Sequence, residues 1–132
     1  MIRKLNHIGI AVGSLEAQIP FYRDVLGLEL KGIEEVSDQQ VRTALFLCGE
    51  VNIELLEPTS PESPIAKFLE KRGEGIHHLA YQTDDIPREI EGLKKREIRM
   101  IDETPREGAH GTKIAFIHPK SSGGVLSEIT QV

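Results

Sequence analysis

Two histidines and two glutamates carry the chemistry that this sequence suggests, because each occurs at a matching place in an internal repeat. Leu5-Asn6-His7-Ile8-Gly9-Ile10-Ala11-Val12 and Ile76-His77-His78-Leu79-Ala80-Tyr81-Gln82-Thr83 superpose on a slide of 71 residues, which sets His78 on His7. The same slide sets Asp85 on Ser14, and Ala115-Phe116-Ile117 on Ala44-Leu45-Phe46. Side chains alternate across a strand, so Ile8, Ile10 and Val12 face one way, toward a core, while His7, Gly9 and Ala11 face the other. That second face offers one ligand-type group beside two very small residues, and His78 with Ala80 repeats it. Glu54 in Val51-Asn52-Ile53-Glu54-Leu55-Leu56 and Glu128 in Val125-Leu126-Ser127-Glu128-Ile129 sit mid-strand among apolar residues, 47 and 50 residues after their histidines. Burying a lone carboxylate costs several kcal/mol unless it is paired or metal-bound. Two imidazoles and two carboxylates converging on one point would bind a divalent first-row ion such as Co²⁺, Mn²⁺, Ni²⁺ or Zn²⁺. The plainer reading makes His7 and His78 partly buried histidines satisfied by backbone carbonyls.

The elements that must position these four residues follow from periodicity and capping. A first strand over residues 7–12 leads to a helix over 15–26, capped by Ser14 and closed by Gly27. Pro20 is a discord within that helix, since it removes an interior N–H. Strands follow near 28–35, 41–48 and 51–56. Pro58, Pro61 and Pro64 then break the pattern, with a short helix near 65–72. The second half opens with a strand at 78–83. A helix follows, capped by Asp85, with Pro87 in its first turn, Ile86, Ile90 and Leu93 inward, and its end near Arg96. Strands are expected at 98–102, 112–118 and 125–130. Two tandem βαβββ modules, about 1–60 and about 75–132 with a linker of about 61–74, make one α+β domain with a curved mixed sheet.

Composition bounds the rest. The chain has 132 residues, a formal charge of −5 and 39% apolar residues, the make-up of one globular domain. No basic patch stands out for nucleic acid, and no apolar run is long enough to span a membrane. The start carries no secretory h-region, so a cytoplasmic location is expected. The single cysteine, Cys48, excludes an internal disulfide or a Cys-based zinc site and reads as a small buried hydrophobe.

These same segments resemble the vicinal-oxygen-chelate superfamily (glyoxalases, bleomycin-resistance proteins and dioxygenases) over essentially the whole chain. The pieces are Asn6-His7-Ile8-Gly9-Ile10-Ala11-Val12 and Phe21-Tyr22-Arg23-Asp24-Val25-Leu26-Gly27-Leu28. Sharper pieces resemble the methylmalonyl-CoA epimerases: Ile53-Glu54-Leu55-Leu56-Glu57-Pro58, Gly75-Ile76-His77-His78-Leu79-Ala80, Pro105-Arg106-Glu107-Gly108-Ala109-His110-Gly111, and Phe116-Ile117-His118-Pro119 running on to Leu126. The resemblance implies a partly open β-barrel around one divalent metal ion per chain, Co²⁺ before Mn²⁺, Ni²⁺ or Zn²⁺. Its ligands would be His7, Glu54, His78 and Glu128. It also implies a homodimer, an acyl-CoA substrate, and interconversion of (R)- and (S)-methylmalonyl-CoA through a metal-stabilised enolate in propionate metabolism.

Epimerisation needs proton transfer on both faces of a planar enolate. Glu128 is the first choice of base. The position where relatives carry a glutamate for the other face is Thr43 here, which leaves Glu54 or a water held by Thr43 as substitutes. Arg106, His110, Lys113 and Lys120 are weighed as CoA contacts against plain surface roles, and His77 is read as structural. Rival functions are a glyoxalase-type isomerase on a thiol adduct, an extradiol-type oxygenase, and a non-catalytic ligand-sequestering protein.

Overall fold

The computed structural model describes all 132 residues, and contacts divide it into two units, His7–His77 and Met1–Asn6 with His78–Val132. The first unit holds β1 (Ile2–Ala11, from His7 onward), α1 (Leu15–Pro20), β2 (Glu29–Val36), β3 (Val41–Leu47), β4 (Asn52–Pro58) and α2 (Pro64–Arg72). The second holds β5 (Gly75–Thr83, from His78 onward), α3 (Ile86–Lys95), β6 (Arg106–Glu107), β7 (Lys113–Ile117) and β8 (Ser127–Gln131). Strand order is β2-β3-β4-β1 in the first and β6-β7-β8-β5 in the second. In each, the opening strand pairs in parallel with the last, and the other pairings are antiparallel. The repeat seen in the sequence is therefore a repeat of topology, and the fold is α+β.

Helices α1 and α3 each cover one face of their own sheet. Leu15 and Ile19 of α1 pack with Val12, Ala44, Phe46 and Leu55. Ile86 and Ile90 of α3 pack with Ala115, Ile117 and Ile129. The caps form as the sequence predicts: Ser14 Oγ accepts from Ala17 N at 3.2 Å, and Asp85 Oδ1 accepts from Arg88 N at 3.2 Å.

Three expectations need correction. The helix from Leu15 does not run on regularly to Leu26. It stops at Pro20 and widens into a π-type turn over Phe21–Val25, where Leu26 N donates to Phe21 O at 2.9 Å. Proline has no N–H and its ring crowds the preceding turn, so the backbone widens just beyond it. The strand expected at 98–102 is a loop touching the sheet at one bridge, Met100 to Ile117. There the Asp102 carboxylate accepts from Phe116 N at 2.9 Å, so a side chain replaces a ladder bond. Cys48 is exposed rather than buried, because β3 ends at Leu47 and Cys48 begins the tight turn in which Val51 N donates to Cys48 O.

Candidate active site

In the parallel pair β1–β4, Gly9 is in register with Glu54, so His7, two residues earlier on the same face, is the diagonal neighbour of that glutamate. His7 Nε2 lies 3.9 Å from Glu54 Oε1, and both side chains are buried. In the parallel pair β5–β8, Ala80 is in register with Glu128, and His78 again sits two residues earlier. His78 Nε2 lies 3.4 Å from Glu128 Oε1, also buried. Each unit thus builds the same His–Glu pair in the same register. The residue facing each glutamate is small, Gly9 in one and Ala80 in the other, so neither fills the space above the sheet.

A second echo surrounds the pairs. Leu45 is in register with Glu54, and Phe116 with Glu128. The slide of the sequence sets Phe116 on Leu45, a clue to its place at the site that alternation alone did not give. Phe116 meets the His78 ring edge-on at 5.6 Å between centroids, which holds the imidazole in orientation. The Arg106 guanidinium lies over the Phe116 ring, 5.6 Å from its centroid, and pairs with Asp102 at 3.3 Å. Arg106 is therefore anchored beside this site.

Electrostatics mark Glu54. Burial, followed by the negative charge of Glu34, pushes its carboxyl from 4.5 to about 7. A nearby cation would reverse that shift by favouring the carboxylate. Donors about 2.1 Å from a shared first-row ion lie roughly 3–3.4 Å apart at octahedral to tetrahedral angles. The 3.4 Å pair fits that spacing, and the 3.9 Å pair needs only a small closure. Two imidazole nitrogens with two carboxylates are a fitting donor set for such an ion.

Other residues singled out in the sequence fall elsewhere. Thr43 is buried in β3, and its hydroxyl donates to Glu34 O at 3.4 Å. His77 points to the opposite face from His78 and packs edge-on against Phe68 of α2 at 5.0 Å, where burial lowers its pKa to about 4. His110 is exposed, at φ 59 in the turn before β7. Lys113 pairs with Glu107 at 3.5 Å on the surface, and Lys120 is exposed.

The profile of the Glyoxalase/Bleomycin resistance protein/Dioxygenase superfamily matches residues 6–116. An ethylmalonyl-CoA/methylmalonyl-CoA epimerase of Cereibacter sphaeroides is 41% identical over 134 residues, covering 100% of both chains. An uncharacterised Bacillus subtilis protein, YqjC, is 42% identical over 130 residues, covering 98% of this chain and 93% of its own. A solved methylmalonyl-CoA epimerase in complex with methylmalonyl-CoA and NH4⁺ superposes with a TM-score of 0.96 at 36% identity, over 99% of this chain and 95% of that one. A fold repeated in two βαβββ units, each with its buried His–Glu pair, and similarity along the full chain lead to one assignment: the chain belongs to the glyoxalase/bleomycin resistance/dioxygenase superfamily and, within it, to the methylmalonyl-CoA epimerase family.

Proposed function

We propose that the protein interconverts (R)- and (S)-methylmalonyl-CoA by proton transfer at the α-carbon, using one divalent metal ion held by His7, Glu54, His78 and Glu128. The observation that carries this reading is the repeated buried His–Glu pair, 3.9 Å in one unit and 3.4 Å in the other. His7, Glu54 and His78 each offer one donor atom, and Glu128, 3.4 Å from His78, would add a second carboxylate. The substrate is carried over from the relatives named above. Co²⁺ is the preferred ion, with Mn²⁺, Ni²⁺ or Zn²⁺ as alternatives, and the family reading adds a cytoplasmic homodimer acting in propionate metabolism.

The α-carbon of methylmalonyl-CoA lies between a carboxylate and a thioester, so removing its proton spreads negative charge onto the thioester oxygen. The bound ion would supply Lewis acidity at that oxygen. The residues of the chain do the rest. Gly9 and Ala80, facing the two glutamates in register, leave room for the substrate. Leu56 and Phe116 line the same faces as Glu54 and Glu128, and keep water from the developing charge. Phe116 holds His78, and Arg106 covers Phe116. Glu128 serves one face of the α-carbon, taking the proton from one epimer and delivering a proton there when the other epimer reacts, the ordinary work of a positioned general acid–base.

The test is solvent exchange. Protein loaded with Co²⁺ and incubated with a single methylmalonyl-CoA epimer in D₂O is expected to incorporate deuterium at the α-carbon and to lose optical purity. Glu128→Gln should slow this by roughly 10²–10⁴-fold, and EDTA should abolish it. A folded, metal-replete protein that exchanges no deuterium would overturn the reading.

A further inference from the structure

Glu34 reaches the face of the first-unit sheet that carries His7 and Glu54 through an irregularity in β2. Leu30 is in register with Phe46, on the apolar side that packs against α1. In a regular strand Gly32 and Glu34 would share that side with Leu30, because side chains alternate with a period of two. The pairing shifts between Leu30 and Gly32, so that Gly32 meets Leu45 and Glu34 meets Thr43. The extra residue, Lys31, turns the remainder of the strand over, as a bulge does. Thr43 and Leu45 belong to the face of Glu54, with which Leu45 is in register. Glu34 therefore shares the face of Glu54, from the strand two positions away. It lies within electrostatic reach of Glu54.

Resting on the epimerase reading, we propose that Glu34 is the second acid–base residue, serving the face of the enolate opposite Glu128. Epimerisation has to move a proton off one face and onto the other. Thr43, directly across from Glu34, has no useful basicity near neutral pH, and its hydroxyl is turned toward the β2 backbone. Within a turnover, a Glu34 carboxylate oxygen takes the α-proton. The electron pair of the broken C–H bond moves into the thioester carbonyl, and protonated Glu128 delivers its proton to the other face of the carbon. The opposite epimer uses the two residues in reverse, and both return to their starting protonation by exchange with water.

The two epimers of methylmalonyl-CoA, supplied separately in D₂O, test this with Co²⁺-loaded wild type, Glu34→Gln and Glu34→Asp. Glu34→Gln is expected to epimerise at least about 100-fold more slowly. It should still exchange deuterium into the epimer that Glu128 deprotonates, and lose exchange into the other. Metal content per chain and melting temperature should match wild type. Should Glu34→Gln not fold, Glu34→Asp is expected to slow initial exchange into one epimer far more than into the other. The proposal is overturned by Glu34→Gln epimerising within about threefold of wild type, by equal loss of exchange into both epimers, or by equal slowing of both in Glu34→Asp. A wild type that exchanges neither epimer overturns the epimerase reading and this proposal with it. A wild type active on both beside a variant with unchanged epimerisation overturns this proposal alone.

Discussion

Glu54 sits in a position where its charge is unfavourable unless something positive arrives. Burial above all pushes its carboxyl up from 4.5 to about 7. The folded chain then holds a proton that the unfolded chain has released, across the window between those values. A carboxyl raised in this way contributes stability that is complete below pH 4.5 and is lost as pH rises through about 7. The full swing is on the order of 3 kcal/mol. Metal-free Glu54→Gln carries a neutral group of the same shape and should lose this component. Melting temperatures in EDTA between pH 4.5 and 7.5 should therefore fall less steeply for the variant than for wild type. Identical slopes would show that burial of Glu54 is not costing the fold. The single residues that alternation and repeat made legible were those whose chemistry clashes with their place in a strand: His7, His78, Glu54 and Glu128. The face on which Glu34 lies was illegible because strict alternation carries it to the side of Leu30, and the register shift between Leu30 and Gly32 that turns it over depends on pairing with β3. Cys48 was misread because a cysteine beside an apolar run looks like its continuation, while the turn after Leu47 had already begun.

The elements that hold the pairs are tied to their helices by a device that also repeats. Three residues after Glu54, Glu57 Oε2 accepts from Leu15 N at 2.9 Å, at the start of α1. Three residues after Glu128, Gln131 Oε1 accepts from Ile86 N at 2.8 Å, at the start of α3. In each unit one strand thus carries both a site glutamate and the partner for an otherwise unpaired N–H at the helix start. Glu57 also receives Arg42 Nη1 at 2.9 Å, which fixes its carboxylate between β3 and the helix. Removing either acceptor leaves an N–H without its partner, at about 1–2 kcal/mol. Glu57→Ala and Gln131→Ala should each lower denaturant stability by about that amount, with the m-value unchanged, and their losses should add because the sites share no partner. A Glu57→Ala protein as stable as wild type would mean that water caps the helix equally well. Strands and caps were readable from spacing and from Ser14 and Asp85. These ties were not, because they join residues 42 and 45 positions apart and depend on register. The strand expected at 98–102 failed for a related reason. Its alternation was adequate, but Asp102 takes the Phe116 N–H with its side chain, and the segment keeps only one bridge.

At the scale of the whole molecule, the repeat makes a quantitative demand. Two equivalent His–Glu pairs on a chain of net charge −5 would bind two ions if each pair worked alone, and one ion if they share it. Two donors from one pair leave most of a first-row ion's coordination to water and bind it weakly, whereas four protein donors, two of them anionic, bind it well. The proposed function therefore requires one metal ion per chain, measured after dialysis by elemental content against protein concentration. It also requires His7→Ala and His78→Ala to weaken that one site alike, although the residues lie in different units. Binding to the folded state alone stabilises it by about 2.7 kcal/mol at free metal a hundred times the dissociation constant. For a domain of this size that is a rise in melting temperature of roughly 10 °C. Wild type should show this rise on adding Co²⁺ and lose it in EDTA, and both histidine variants should show most of it missing. Two ions per chain, or a variant in one unit that leaves the rise intact, would mean that the pairs act independently, and the catalytic reading would lose its foundation.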